Sequence, residues 1–383
     1  MLFPSYLRNS TRPVPAARRR TQTSRCQRAG FRPQLEALED RWLFSTLTVT
    51  STQDSGVGSL RAQIAAAQSG DTIVFSSTLS SVATLSSAST LSRSTAKPSS
   101  SKNGHGKPSP PPPTPPPTPT ITLSSGELLV TKNLTIQGPG AGQLVISGNN
   151  VLRAFDLAQG TTVNLSGLTI NGASSYWTSY PVATPWAGYG GGILNHGALT
   201  LSACSVSGVV AGFGQGGGIF NDGTLNVIGC TISNSFAEGS GGSEEAGTAA
   251  AACGAGIGNS GTATLTNSII SNNKATETTT YPWYNKGGGI FNTGTLALTG
   301  CTVSGNYSQH EAGGIFNAGT LILSSTTLSG NGTGGDGSSV SNYGTMTIKN
   351  SSHIDDVNNL NVLYLESSTS TIGILTGNPA ILI

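Results

Sequence analysis

The chain has 383 residues with 52 glycines, and only 9% of its residues are charged. It is poor in helix formers and rich in Gly, Ser, Thr, Asn and β-branched residues, which favours short strands and turns over helices. Nine of the 19 Lys and Arg residues precede residue 42, leaving 10 basic against 14 acidic residues in the body; such a body lacks the clustered cations that nucleic-acid binding needs.

No run of 18 apolar residues exists, so no transmembrane helix is expected. The five cysteines, Cys26, Cys204, Cys230, Cys253 and Cys301, form no CxxC pair, and the histidines at 105, 196, 310 and 353 are scattered. Neither pattern has zinc-ligand spacing, and no metal or other cofactor is expected.

Taken from the N-terminus, the basic stretch ends in "LEALEDRWLFS", residues 35 to 45. Leu35, Glu36, Leu38, Glu39, Arg41, Leu43 and Ser45 match a motif that resembles the leader of many large surface and secreted proteins of planctomycete bacteria, with Phe44 in place of a leucine. The resemblance implies export to the cell surface or the extracellular space; an ordinary short amphipathic helix is the alternative. Residues 1–45 are therefore read as a basic leader.

Residues 46–85 are read as a cap. Ser59 suits a helix N-cap, Leu60, Ile64 and Ala67 share one helical face, and Ser69-Gly70 stops the helix before a strand at Thr72 to Phe75. Residues 86–120 are a Pro/Ser-rich interruption that cannot bury enough apolar surface to order itself.

The decisive signal is a repeat. "GGGIFNDGTL" at 216 to 225 returns as "GGGIFNTGTL" at 287 to 296 and as "GGIFNAGTL" at 313 to 321. Aligned on its asparagine, the unit gives Asn195, Asn221, Asn259, Asn292, Asn317 and Asn342, spaced by 26, 38, 33, 25 and 25 residues. Apolar residues stand two before, four after and six after each asparagine, which is strand alternation. Nine after it come Cys204, Cys230, Ser268, Cys301, Thr326 and Ser351; the glycine two after it is expected at a corner with positive φ.

Three short strands per 25-residue unit describe a right-handed parallel β-helix, expected over 121–370 in 8 to 10 coils, with 371–383 as a tail or cap. The asparagines are expected to stack as a buried ladder, each amide bonding its neighbours one coil away.

"GGGI" followed by "VSGN" (303 to 306) or "LSGN" (328 to 331) resembles the paired repeats of polymorphic outer membrane proteins. Val303, Leu328 and Ile270 replace that family's phenylalanine, and the resemblance covers about 190 to 345. It implies a surface-exposed, adhesive β-helix.

Two insertions, at 173 to 189 and 274 to 286, enter at the same point of the coil, their roots about 14 Å apart at one strand spacing per coil. They hold Tyr176, Trp177, Tyr180, Trp186, Tyr189, Tyr281, Trp283 and Tyr284, which suit sugar stacking or a protein partner; packing on the coil flank is the equal alternative. Asp222 reads as a lone corner carboxylate, and Glu244 and Glu245 lie in a Gly/Ala/Ser-rich insertion rather than as a catalytic pair. Cys204 and Cys230 fall one coil apart as free thiols or as a disulfide.

The expected function is thus a monomeric, non-catalytic surface scaffold with a polysaccharide or a cell-surface protein as partner. A β-helical polysaccharide lyase or glycoside hydrolase is the alternative, and a calcium-dependent binding module a third class.

Overall fold

A computed structural model describes residues 44–79, 117–175, 188–212, 214–239, 252–277, 285–335, 338–366 and 369–383. The leader, most of the Pro/Ser-rich stretch and the tips of the insertions lie outside these. Every strand pairing is parallel, and the chain winds as a parallel β-helix around one apolar core, as the repeat implies.

The widest wall is a 12-stranded sheet from Thr46–Val49 to Ile381–Leu382. Its five-residue strands, such as Thr224–Ile228, Thr262–Thr266 and Thr295–Thr299, alternate as the sequence does: Leu225, Val227, Leu265, Leu296 and Leu298 point inward and are buried. A second wall carries the repeated Ile-x-Asn strands, Ile193–Asn195 through Val340–Asn342, stacked in register. A third carries Ser205–Ser207, Thr231–Ser233, Ile269–Ser271, Thr302–Ser304 and Thr327–Ser329.

The coil has a fourth side where three strands were expected. Val210–Gly212, Phe236–Gly239, Lys274–Glu277, Tyr307–Ser308 and Gly332–Thr333 form a lateral five-stranded sheet outside the main core. Beneath it Ala237, Ala252, Ala255 and Ala275 make a separate small cluster. Its inward positions are too small to register as apolar pairs, so the alternation that marks the other strands is missing there.

The asparagine ladder is continuous. Nδ2 of Asn195, Asn221, Asn259, Asn292 and Asn317 donates to Oδ1 of the asparagine one coil on at 2.6 to 2.8 Å, and also to the carbonyl of its own following glycine at 3.2 to 3.3 Å. Asn342 passes the ladder to Asn359, a member that the sequence period misses because this coil is only 17 residues long. The 7-residue strand His353–Asn359 explains the shortening: its start pairs with Thr327–Ser329 and its end with Val340–Asn342, so the lateral side of the coil is deleted and two walls fuse. The coil then continues through Thr371–Gly377 and Ile381–Leu382, past the expected end at 370.

Two local expectations need correction. The glycines two after each asparagine (Gly197, Gly223, Gly261, Gly294, Gly319, Gly344) do not have positive φ. They stack backbone on backbone: a Cβ on Gly223, Gly261, Gly294, Gly319 or Gly344 would overlap the carbonyl oxygen of the glycine one coil earlier. The left-handed corners lie elsewhere, at residues such as Gly300, Ser325, Asn272 and Gly305. The polar corner column also ends on Ser352, not Ser351. Asn350 and Ser351 both take positive φ, adding one residue to that corner, so the buried Ser352 Oγ receives the Thr326 N–H.

At the N-terminal end α1 (Leu60–Ala66) lies over the coil, buries Leu60 and Ile64, and starts at Ser59, whose Oγ accepts the Ala62 N–H at 3.2 Å. Lys132 Nζ donates to the Ala65 and Ala67 carbonyls at its other end, the cation that a helix C-terminus favours. Arg61 ties the helix down, donating to Asp54 Oδ1 at 2.7 Å and to the carbonyls of Gly126 and Glu127. Burial alone would raise the Asp54 carboxyl, but hydrogen bonds from Arg61, Ser125 and Ser124 hold it far below the usual carboxylate range.

Candidate functional site

The lateral sheet is where the chain leaves the coil. Ser174 pairs with Val210, Val210 with Phe236 and Phe236 with Lys274, so the segments that lead into 176–187, 240–251 and 278–284 are stacked on one edge. Tyr176, Trp177, Tyr180, Trp186, Tyr281, Trp283, Tyr284, Glu244 and Glu245 lie outside the described residues. Tyr189 is described: it is half-buried with its ring edge-on to Phe220 at 4.8 Å, and its carbonyl accepts Arg153 Nη2 at 3.0 Å. This aromatic packs on the coil flank.

Beside the root of 278–284, the outer face of the lateral sheet forms a groove of 520 Å³ lined by Lys274, Thr276, Glu277, Tyr307 and Gln309. Strand alternation creates it: Ala275 and Ser308 point in and are buried, so their neighbours on both sides point out. Lys274 Nζ lies 5.7 Å from the centre of the Tyr307 ring. Gln309 Oε1 accepts the Glu277 N–H at 2.9 Å and Asn285 Nδ2 at 3.4 Å, which orients the amide. The groove therefore offers a ring face, an ammonium, an oriented amide and a hydroxyl on rigid strands. No sequence signal named it, because the lateral strands carry no apolar alternation.

A second outer column covers the Ile-x-Asn wall. Phe291 stacks on Phe316 with ring centres 5.3 Å apart, and Phe316 contacts Tyr343 at 5.1 Å. Lys286 Nζ sits 4.6 Å over the Phe316 ring and 3.5 Å from Glu311 Oε2. The chain's own segment before each "GGG" thus lies across these rings, with Gln215, Cys253, Lys286 and Glu311 paired from coil to coil. Phe316 is buried in this column, while Tyr343 at its end stays exposed.

The carboxylates are engaged in the same way. Asp222 is not alone: His196, its equivalent one coil earlier, places Nδ1 2.7 and 2.8 Å from the two carboxylate oxygens. Glu127 meets Arg153 at 2.7 Å, and burial pushes its carboxyl up. Both pairings follow from coil stacking, and the first was accessible from the repeat because His196 and Asp222 occupy equivalent positions.

The four described cysteines carry free thiols and are buried. Cys204 and Cys230 do stack, with the Cys204 N–H donated to Cys230 Sγ at 3.3 Å, and no disulfide joins them. The Cys204 thiol is pushed up by its hydrogen bond with Cys230 and by burial, and burial pushes Cys253 up to about 12, so neither is a ready thiolate. Among the described residues no group of three or more His, Cys, Asp or Glu side chains could hold a metal ion, and no helix is long and apolar enough to cross a membrane.

No family model matches the chain, and no curated protein matches it. Two solved structures are similar over 88% of its length. One, titled Geobacillus virus E2 ORF18, is 9% identical with a TM-score of 0.39, and the chain spans 62% of that protein. The other, the pectate lyase Pel9A, is 13% identical with a TM-score of 0.37, and the chain spans 79% of it.

Proposed function

We propose that this chain is an exported, non-catalytic β-helix scaffold that binds polysaccharide along its lateral edge. The observation that carries the reading is the register of that edge: Ser174, Val210, Phe236 and Lys274 stack on consecutive coils, so the two aromatic insertions spring from one line. The sequence that follows these roots contains Trp177, Trp186 and Trp283, and aromatic side chains combine large contact area with low entropy loss on binding.

The non-catalytic part of the proposal is supported by the engagement of three described carboxylates. Asp222 is tied to His196, Glu127 to Arg153, and Glu311 to Lys286. General acid–base work on a glycosidic bond needs a carboxyl pair facing open space across a substrate, an arrangement these ion pairs do not make. Export is supported by the leader-like motif at residues 35 to 45.

The test incubates the full chain with insoluble cell-wall and algal polysaccharides and scores retention and released oligosaccharides together. Retention without products, lost in Trp177→Ala with Trp283→Ala, is the expected result. Released products would overturn the non-catalytic reading, and retention unchanged in the double variant would remove the aromatic edge as the site.

A further inference from the structure

The lateral groove has a feature that its volume alone does not convey. Tyr307 pairs with Gly332 in the next coil, and two residues further on stands Gly334. A Cβ on Gly334 would lie 2.8 Å from the Tyr307 hydroxyl oxygen and 2.7 Å from the Gln309 carbonyl oxygen. At Gly332 a Cβ would lie 3.8 Å from Tyr307 Cδ2. The ring therefore leans over a floor of backbone, in space that a side chain at 334 would occupy. On the opposite side stands the exposed Lys274, its Nζ 5.7 Å from the ring centre.

Beside this ring the Gln309 amide is held rather than free to turn. Gln309 Oε1 is occupied by two donors, the Glu277 N–H and Asn285 Nδ2, which directs the amide's NH2 away from the strand. Lys274 and Glu277 put one positive and one negative group in the lining, and Glu238 stands in register with Thr276 on the adjoining strand, so the site carries no positive excess. The groove falls within the range of small-ligand sites, about 300 to 1,000 Å³. One coil beyond Lys274 in the same outward column is the exposed Phe236, two strand spacings from Tyr307, or about 10 Å.

We propose that Lys274, Thr276, Glu277, Tyr307 and Gln309 form a subsite for one uncharged pyranose ring, stacked on Tyr307 and held by the Gln309 amide and the Lys274 ammonium. The glycan chain runs along the coil axis and meets Phe236 as its next aromatic contact. This rests on the polysaccharide-binding reading above and gives it a chemical class: a neutral glycan rather than a polyuronate. The apolar ring supplies contact area, and the lack of a positive excess leaves an anionic polymer no net attraction.

The experiment titrates the full chain with cellohexaose, xylohexaose and laminarihexaose, with an oligogalacturonate as the charged probe, and repeats the titration with variants. A neutral oligosaccharide is expected to bind, with Tyr307→Ala and Gln309→Ala each weakening it by tenfold or more and Tyr307→Phe staying within about twofold. Gly334→Leu is expected to weaken binding through the ring that it displaces. Each variant is checked against the wild-type urea midpoint, since Tyr307 and Gln309 are only half-buried. Binding that survives Tyr307→Ala and Gln309→Ala but is lost in Trp177→Ala with Trp283→Ala would overturn the subsite while leaving the scaffold reading in place. Preferential binding of oligogalacturonate, lost in Lys274→Ala, would overturn the neutral-glycan class. No binding of any probe, together with no retention on insoluble glycans, would overturn both proposals.

Discussion

Each coil from about 205 to 335 joins two regions made of opposite materials. The main barrel is filled by Ile, Leu and Val, with Leu225, Leu265, Leu298 and Ile348 fully or almost fully buried. The lateral lobe is filled by Ala237, Ala252, Ala255 and Ala275, and the glycines that close it touch backbone. A Cβ on Gly217 would overlap the Phe236 carbonyl, and one on Gly288 the Tyr307 carbonyl. Wall separation explains the difference. Where two strands face each other across a barrel, large side chains fill the gap and supply the hydrophobic term; where backbone approaches backbone, only Gly, Ala and Ser fit. The lobe therefore gains little from apolar burial and depends on hydrogen bonds between coils. It is also the side from which the long insertions leave.

Substitutions sharpen that contrast. The largest expected effect is in the barrel: Leu298→Ala removes a buried side chain that its neighbours cannot replace, costing about 3 kcal/mol in urea unfolding. At the corner between the Ile-x-Asn wall and the 12-stranded wall, Asn259→Ala removes the acceptor of Asn221 Nδ2 and the donor to Asn292 Oδ1. Two buried amides lose partners, and about 2 kcal/mol is expected, read as faster hydrogen exchange in the coils on either side. In the lobe the sign of the size effect reverses: Ala275→Leu overpacks and costs about 1.5 kcal/mol, whereas a similar enlargement, Ala263→Leu, is tolerated better because Leu225 and Leu296 already hold that position in the adjacent coils. An Ala275→Leu protein as stable as wild type would show that the lobe is not close-packed.

The smallest effect concerns the capped end. The Asp54 carboxyl is depressed in the folded chain, so its contribution is complete above its ordinary value of 3.8 and is lost as pH falls further toward the folded-state value. Amide exchange in α1 is expected to accelerate only below about pH 4, ahead of the barrel, and Asp54→Asn should abolish that pH dependence.

How far the fold was legible depends on what a residue needs from its neighbours. Leu225, Val227 and their equivalents declare themselves by alternation, and Asn195 to Asn342 by period, because both are properties of one coil repeated. Ser59 and Ile64 mark the helix because caps and faces are local. Asn359 was hidden by a coil of 17 residues, and Ser352 by one extra left-handed residue, since neither keeps the period. Of the candidate site, the common edge of the insertions was legible from where they interrupt the repeat. The pairing of His196 with Asp222 was open to the repeat, since the two occupy equivalent positions one coil apart; the groove around Tyr307 was not, as it joins residues from different coils whose side chains carry no shared pattern.

By itself the sequence determined that this chain coils, with what pitch, and which residues face the core, because a solenoid repeats one local solution and each repeat meets only its neighbours. Tertiary structure alone decided how close the walls stand. That distance made the repeated glycines backbone contacts instead of left-handed turns, opened a fourth side to the coil, and laid Tyr307 over Gly332 and Gly334. Close approach is a property of two segments held together, and no single stretch of sequence records it.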